Sequence, residues 1–176
     1  MARYVALLRG INVGTAKAIA MSDLRACFEG LGCANVRTLL RSGNVVFDAA
    51  QPLDRRVLEA AIETATGVSA AVVVVDDARF RQIVAENPLA AVVTDPSRAL
   101  VHFLDAVPDD TGLGRPSDEA LGAERLAFGP RAIYQWCPDG IAKSRVPPGF
   151  FTRLGTTATA RNLRTVEKIV ALLDAP

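Results

Sequence analysis

The chain has 176 residues, half of them apolar, and carries 20 basic and 19 acidic side chains for a net charge of +1. This apolar share excludes a disordered chain, and the length suffices for one domain, or two small ones, with a substantial core. The balanced charge argues against a protein that coats DNA or that binds an anionic membrane surface through a general positive charge.

The N-terminal run MARYVALLRG is too short for the apolar part of a signal peptide and is interrupted by Arg9. No apolar run approaches the roughly 18 residues of a membrane span. We therefore expect a soluble, cytoplasmic protein without a membrane partner. The three cysteines, Cys27, Cys33 and Cys137, form no C-x-x-C pair, so buried reduced thiols are expected rather than disulfides or zinc ligands.

The first half of the chain alternates apolar runs with amphipathic stretches and turn residues. The predicted elements are a strand over 3–9, a helix over 23–31 with Ser22 as its N-cap, a hairpin over 35–47, a helix over 53–66 that ends at Gly67, and a strand over 70–75. This β-α-β-β-α-β order predicts a ferredoxin-like, split βαβ arrangement.

The second half repeats this pattern in part. The predicted elements are a helix over 77–87, a strand over 99–107, a short helix over 117–122, a hairpin on either side of Gly129-Pro130, and an amphipathic helix over 161–173. We expect an α+β protein with a ferredoxin-like subdomain over 1–88 and a second, smaller α+β subdomain over 89–176. The halves share no convincing residue-by-residue repeat, so any duplication is one of topology.

A first polar loop follows the first predicted strand and reads Arg9-Gly10-Ile11-Asn12-Val13-Gly14. Glycines allow positive φ, and such loops can turn backbone amides towards an anion. The loop lacks the Gly-Lys-Ser/Thr ending of a P-loop and is not G-x-G-x-x-G, so it predicts an anion site without a nucleotide fingerprint. The alternative is a tight connector whose Arg9 faces solvent.

Two further segments are polar. Arg41-Ser42-Gly43-Asn44 is either a simple turn or part of a site, and the sequence does not decide whether it shares a sheet end with Arg9. Residues 141–164 are basic and contain no acidic residue. Thr159 is predicted to cap the last helix, which would place Arg161 in its first turn. A cation there interacts unfavourably with the positive end of the helix dipole, and a bound anion would offset this repulsion. The alternative is a pair between Arg161 or Arg164 and a carboxylate such as Asp139.

Several motifs together resemble a known bacterial family. They are YVALLRGINVG (4–14), VRTLLRSGNVVF (36–47), Asn87-Pro88, IYQWCPDGIAKSR (133–145) and TARNLRTVEKI (159–169). In this order they resemble the domain of unknown function 1697 family, which has no established activity. The resemblance implies a small soluble α+β protein with ferredoxin-like architecture. It also implies polar family positions at Arg9, Asn12, Gly14, Ser42, Gly43, Asn44, Lys143, Ser144, Thr159, Arg161, Asn162 and Thr165. Leu163 departs from the family's usual tryptophan, which removes a possible stacking surface.

We therefore predict a protein that binds a small phosphate- or carboxylate-bearing molecule, with Arg9 and Arg161 on the anion. The candidate ligand-binding residues are Arg9, Gly10, Asn12, Gly14, Ser42, Gly43, Asn44, Lys143, Ser144, Arg161 and Asn162. The sequence names no cofactor and no catalytic residue, and it contains no metal-binding motif. His102, the single histidine, is expected to be a satisfied sheet residue. The alternatives are a ferredoxin-like RNA-binding module and a non-catalytic interaction or homodimerisation module.

Overall fold

The computed structural model describes residues 1–14, 17–108 and 114–175. Its strands are β1 (Ala2–Leu8), β2 (Ala34–Leu39), β3 (Asn44–Ala49), β4 (Val72–Asp76), β5 (Ala99–Leu104), β6 (Arg125–Phe128), β7 (Ala132–Trp136) and β8 (Ala158–Asn162). Its helices are α1 (Met21–Gly30), α2 (Arg55–Thr66), α3 (Asp77–Ala85), α4 (Asp118–Leu121) and α5 (Leu163–Asp174). The strands form two four-stranded antiparallel sheets, so the predicted α+β class is confirmed.

The first sheet has the spatial order β2-β3-β1-β4. Strand β3 lies between β1 and β2, and β1 lies between β3 and β4, so each helical connection skips one strand. This is the strand placement of a split βαβ unit. In the register of β1 and β3, Leu7 lies opposite Asn44, which brings the end of β1 beside the start of β3.

Helices α1 and α2 differ in how they begin. Helix α2 has Asp54 as its N-cap, whose side chain accepts a hydrogen bond from the Arg56 amide, and it ends at the left-handed Gly67 as predicted. Helix α1 begins two residues earlier than predicted, after Ala20, and has no side-chain cap. The prediction of Ser22 as its N-cap is therefore wrong.

The core of the first sheet lies on the face that carries α1 and α2. Phe47 of β3 is fully buried, and its ring centroid lies 5.6 Å from that of Tyr4 and 5.0 Å from that of Phe28. Leu58 and Ile62 add the buried side of α2 to the same cluster. The alternate residues of these strands must point to the opposite face, because side chains alternate along a strand.

The second sheet has the spatial order β6-β7-β5-β8. With β5 in the place of β1, this order reproduces that of the first sheet, so the chain contains the same strand topology twice. Short 3-10 turns at Ile141–Lys143 and Phe151–Leu154 occupy the connection that holds α2 in the first half. Phe150 and Leu154 from this connection pack against Leu104 and Ile133 of the sheet.

The chain divides into two compact units, Met1–Arg81 with Lys168–Pro176, and Gln82–Glu167. The division falls inside α3. The C-terminal turns of α5 group with the first unit, where the Arg3 guanidinium donates to the carbonyls of Leu173 and Ala175 at 2.9 and 3.0 Å. Proline and glycine residues in the sequence could not predict this grouping, because it depends on contacts between residues far apart in the chain.

The start of α5 also differs from its prediction. Thr159 and Arg161 belong to β8, which pairs with β5, and the helix begins only at Leu163. The Asn162 Oδ1 atom accepts a hydrogen bond from the Thr165 amide and so caps the helix in place of Thr159.

All three cysteines are free, and Cys33 and Cys137 are buried, as predicted. Among the described residues, no helix has both the length and the apolar character needed to cross a membrane.

Candidate functional site

The first two predicted polar segments meet at one end of the first sheet. The Leu8 amide donates to the Gly43 carbonyl at 2.9 Å, and the Asn12 Nδ2 atom donates to the Arg41 carbonyl at 2.7 Å. The β1–α1 loop and the β2–β3 turn are therefore directly bonded to each other. This juxtaposition answers the question that the sequence left open about the sheet end of Arg9.

Two asparagines hold this junction together. The Asn12 side chain also donates to the Ile19 carbonyl at 3.1 Å and accepts from the Ile19 amide at 2.8 Å, so it closes the β1–α1 loop. The buried Asn44 side chain donates to the Leu39 carbonyl at 2.7 Å and to Ser42 Oγ at 3.0 Å, which closes the turn. Their amide groups are committed to the loops, so they position this region rather than offer themselves to a ligand.

The same junction concentrates backbone strain. Of the four described non-glycine residues with positive φ, three lie here: Asn12 and Lys17, both at 55°, and Leu40 at 58°. Such conformations are uncommon outside glycine and persist where surrounding contacts impose them. Here the Asn12 amide donates to the Lys17 carbonyl at 3.0 Å, and the Arg41 carbonyl is held by Asn12.

Three cations surround the junction. Arg9, Lys17 and Arg41 are exposed, and within the described part of the chain their side-chain nitrogens make no hydrogen bond or ion pair. Gly10 and Gly14 are exposed beside them with φ of 67° and 66°. We call Arg9–Gly14, Lys17 and Leu40–Gly43 the loop surface. It combines positive charge with an open backbone.

The sheet face opposite α1 and α2 offers no comparable chemistry. Val5, Leu7, Val46, Val73 and Val75 make its central part aliphatic and buried. Arg3 and Asp48 lie on the same face and form an ion pair at 2.9 Å. RNA-recognition motifs use exposed aromatic rings on such a face to stack bases. None of the described strand residues of this sheet presents an exposed aromatic ring.

The third predicted segment belongs to the second unit, and there Ser144 is part of a buried network. Its hydroxyl donates to Glu124 Oε1 at 2.8 Å and receives hydrogen bonds from Gln135 Nε2 at 3.0 Å and the Val146 amide at 3.2 Å. Lys143 stands exposed in the preceding 3-10 turn. The hydroxyl of Ser144 is thus engaged with a carboxylate.

Glu124 is the centre of that network. Its carboxylate accepts from Gln135 Nε2 at 2.6 Å, from the Arg145 amide at 2.7 Å and from the Cys137 thiol at 3.4 Å, besides Ser144. Burial acts to raise the pKa of this carboxyl, but the hydrogen bonds from Gln135, Arg145, Ser144 and Cys137 outweigh it and leave the pKa below its ordinary value. The ionised carboxylate therefore ties the segment after Lys143 to β7.

The network extends to His102. A carboxylate can only accept, so Gln135 must turn its NH2 group to Glu124 and its oxygen to the histidine, whose Nε2 lies 2.7 Å away. This places the imidazole proton on Nε2. The ring also stacks on Phe151 with centroids 3.9 Å apart. His102 is a satisfied sheet histidine, as expected, and burial lowers its pKa to about 4 despite the opposing effect of the hydrogen bond that it donates to Gln135.

Because His102 is the single histidine, we expect one imidazole NMR signal, without titration between pH 8 and 5 and with a midpoint near 4. The folded pKa lies below the unfolded value of 6.5, so the unfolded state binds more protons between these values. Stability is therefore fully present above about pH 6.5 and falls towards pH 4, by about 3 kcal/mol for this group. An imidazole midpoint near 6.5 would contradict this burial.

Arg161 is buried on β8 rather than exposed at a helix start. Its guanidinium donates to Thr159 Oγ1 at 3.0 Å and to the Ala160 carbonyl at 2.8 Å, and burial lowers its pKa to about 10. The expected conflict with the dipole of α5 is absent, because the residue precedes the helix. The predicted ion-pair alternative is met by Arg164, which lies 3.6 Å from Asp95 rather than beside Asp139.

The second unit contains one small pocket beside this network. It has a volume of about 10 Å³ and lies between Glu124, Lys143 and Arg145, with room for about one water molecule. Within the described residues, no group of three or more His, Cys, Asp or Glu side chains could hold a metal ion.

Comparison with known proteins places the chain in a family. A family model described as "Protein of unknown function (DUF1697)" matches residues 1–134. The chain belongs to the DUF1697 family. The match covers both segments of the loop surface and Glu124, and it ends before Gln135, so Lys143 and Arg161 lie beyond it.

The fold of this DUF1697 protein is also found in a solved structure. The conserved bacterial protein SP0830 from Streptococcus pneumoniae matches with a TM-score of 0.68 and 23% identity, over 98% of this chain and 99% of that one. An unknown protein from Galdieria sulphuraria matches with a TM-score of only 0.27 and 12% identity, over 92% and 98% of the two chains, and supports no argument. A search of curated proteins gave no match.

Sequence reasoning about this DUF1697 chain missed Glu124, Lys17 and Leu40. Glu124 is a lone carboxylate before a short strand, and its donors come from β7 and from residues 144 and 145, so no local pattern marks it. Leu40 could have been noticed as the apolar residue that enters the Arg-Ser-Gly-Asn turn. Lys17 follows the glycine loop and looks like an ordinary exposed lysine in the sequence. What distinguishes it is that its backbone carbonyl accepts a hydrogen bond from the Asn12 backbone amide.

Proposed function

We propose that the loop surface binds a small anion that carries a phosphate or carboxylate group. The single observation that supports this most strongly is the bonded junction between two separate loops, which gathers three exposed and unpaired cations. Arg9 and Arg41 can each present a planar guanidinium to two anion oxygens. Lys17 adds a compact positive charge.

The junction is also organised before any ligand arrives. Asn12 ties the β1–α1 loop to the β2–β3 turn, and Asn44 closes that turn from inside. A surface whose loops are already ordered loses less conformational entropy on binding. In this proposal Asn12, Asn44, Ser42 and Gly43 position the surface, and Arg9, Arg41 and Lys17 contact the anion.

Polar residues of the segment over 141–164 make structural hydrogen bonds in the second unit. Ser144 is bonded to Glu124, Asn162 caps α5, and Arg161 bonds within its own strand. The proposed anion site therefore rests on the first two polar segments alone. The proposal is one of binding and includes no catalytic step.

Binding can be tested by thermal unfolding in the presence of inorganic phosphate, sugar phosphates, nucleotides and simple carboxylates. A ligand at about one hundred times its dissociation constant adds about 2.7 kcal/mol, which raises the midpoint by several degrees. We expect such a shift for at least one of these anions, and we expect its loss in the Arg9→Ala/Arg41→Ala double variant.

A matched control removes two exposed arginines of the same unit, Arg25 on α1 and Arg79 on α3. The Arg25→Ala/Arg79→Ala variant has the same net charge as the test variant and should keep the full shift. No shift with any anion, or equal losses in both double variants, would refute the loop surface as the site.

A further inference from the structure

The loop surface carries an apolar component besides its charge. Val13 is 72% exposed and Leu40 is 45% exposed, and each lies one residue from the hydrogen bond that joins Asn12 to Arg41. Single exposed aliphatic residues are common on protein surfaces. Val13 and Leu40 come from separate loops and flank the hydrogen bond that joins Asn12 to Arg41, so the loop surface carries apolar as well as basic side chains.

Neither position favours an aliphatic residue on local grounds. Leu40 has φ of 58°, a conformation that glycine or asparagine adopts with less strain and that leucine rarely adopts. Its side chain also gains little from burial. Val13 stands in a loop that already contains two glycines, and most of its surface is exposed. The local structure would thus be equally well served by polar or smaller residues.

We propose that the anion bound here is amphiphilic, with an apolar chain or ring attached to the phosphate or carboxylate group. The charged group would lie against Arg9, Arg41 and Lys17, and the apolar group would cover Val13 and Leu40. This inference rests on the proposed function, because it assigns the chemical class of ligand to the same surface. It excludes inorganic phosphate and highly polar phosphates as the preferred ligands.

Methyl phosphate and butyl phosphate distinguish the two parts of this surface. They share one charged group, and a fully buried methylene strengthens binding about fourfold. With partial burial of three added methylenes, we expect butyl phosphate to bind about tenfold more tightly than methyl phosphate in a calorimetric titration of the full chain.

The Val13→Ser/Leu40→Gly double variant should bind methyl phosphate as the wild type does and lose the tenfold gain with butyl phosphate. Glycine at position 40 suits the backbone, so the variant should fold. Val57→Ser, which alters a valine on α2 that is 50% exposed, should retain the gain.

The outcomes separate the two proposals. If the wild type binds neither phosphate, the loop surface is refuted as a site for phosphate-bearing anions, and the amphiphilic phosphate ligand is refuted with it. If it binds both equally, or if the gain for butyl phosphate survives in the Val13→Ser/Leu40→Gly variant, the anion site stands and the amphiphilic ligand is refuted.

Discussion

Replacement of Glu124 by alanine is expected to lower the free energy of unfolding of the second unit by about 3 kcal/mol. The carboxylate accepts from the Gln135 amide, the Ser144 hydroxyl and the Arg145 backbone in a buried setting. Each buried donor left without a partner costs about 1–3 kcal/mol. Gln135 retains its bond to Ser144, and water can enter the neighbouring pocket, so the cost falls below the sum of three donors.

Urea unfolding followed by tryptophan fluorescence provides a suitable measurement. Trp136 is the single tryptophan and is buried in β7 of the second unit. Glu119→Ala on α4 removes an exposed carboxylate from the same unit and serves as the matched control, with an expected change below about 0.5 kcal/mol. Equal midpoints for Glu124→Ala and the wild type would show that the network does not stabilise this unit.

Gly43→Ala is expected to destabilise the first unit by about 2–4 kcal/mol. Gly43 has φ of 77°, where an alanine is strained. An added Cβ would also lie 2.7 Å from Ile11 Cδ1 and 2.8 Å from Leu8 Cβ. The Leu8 contact is next to the backbone and cannot move away without shifting β1, so strain and overlap add.

Gly10→Ala is the matched control for this substitution. Gly10 has φ of 67°, but an added Cβ there meets nothing within 4 Å, so only the strain of about 1 kcal/mol remains. Chemical denaturation followed by far-ultraviolet circular dichroism measures both variants. Hydrogen exchange at the Leu8 amide, which donates to the Gly43 carbonyl, should accelerate in Gly43→Ala alone. Equal losses of stability in the two variants would contradict the overlap.

The order of elements could be read from the sequence because local signals agree with the final fold. The apolar run before Arg9 is β1, Gly67 ends α2 as predicted, and the Arg-Ser-Gly-Asn stretch is the predicted turn. Apolar periodicity and turn chemistry act within a few residues, so they can be recognised without the partner strands. The helix ends were less accurate where an alternative cap was available, as with Ser22 and Thr159.

The two proposed arginine contacts show where sequence reasoning stopped. In the sequence, Arg9 and Arg161 are both arginines with polar neighbours, so the two positions could not be distinguished. Arg9 lies exposed at the end of β1, whereas Arg161 lies in β8 opposite Val101 and is buried. The difference arises because β8 pairs with β5 as far as Asn162, so the residues that were predicted to begin the last helix lie in a strand. Helix α5 therefore begins at Leu163. No local signal in the stretch TARNLR favours the strand over the first turn of a helix strongly enough to predict it.

By itself the sequence determined the α+β class, the position of most elements, the reduced state of the cysteines and the polar character of the β1–α1 loop and the β2–β3 turn. These follow from side-chain periodicity and backbone preferences that each segment carries alone. Only the tertiary structure decided that the two loops are bonded to each other, that Arg161 is buried and that Glu124 joins His102 to Ser144 through Gln135. Each of these depends on contacts between residues distant in the chain, whose approach is fixed by strand order and register.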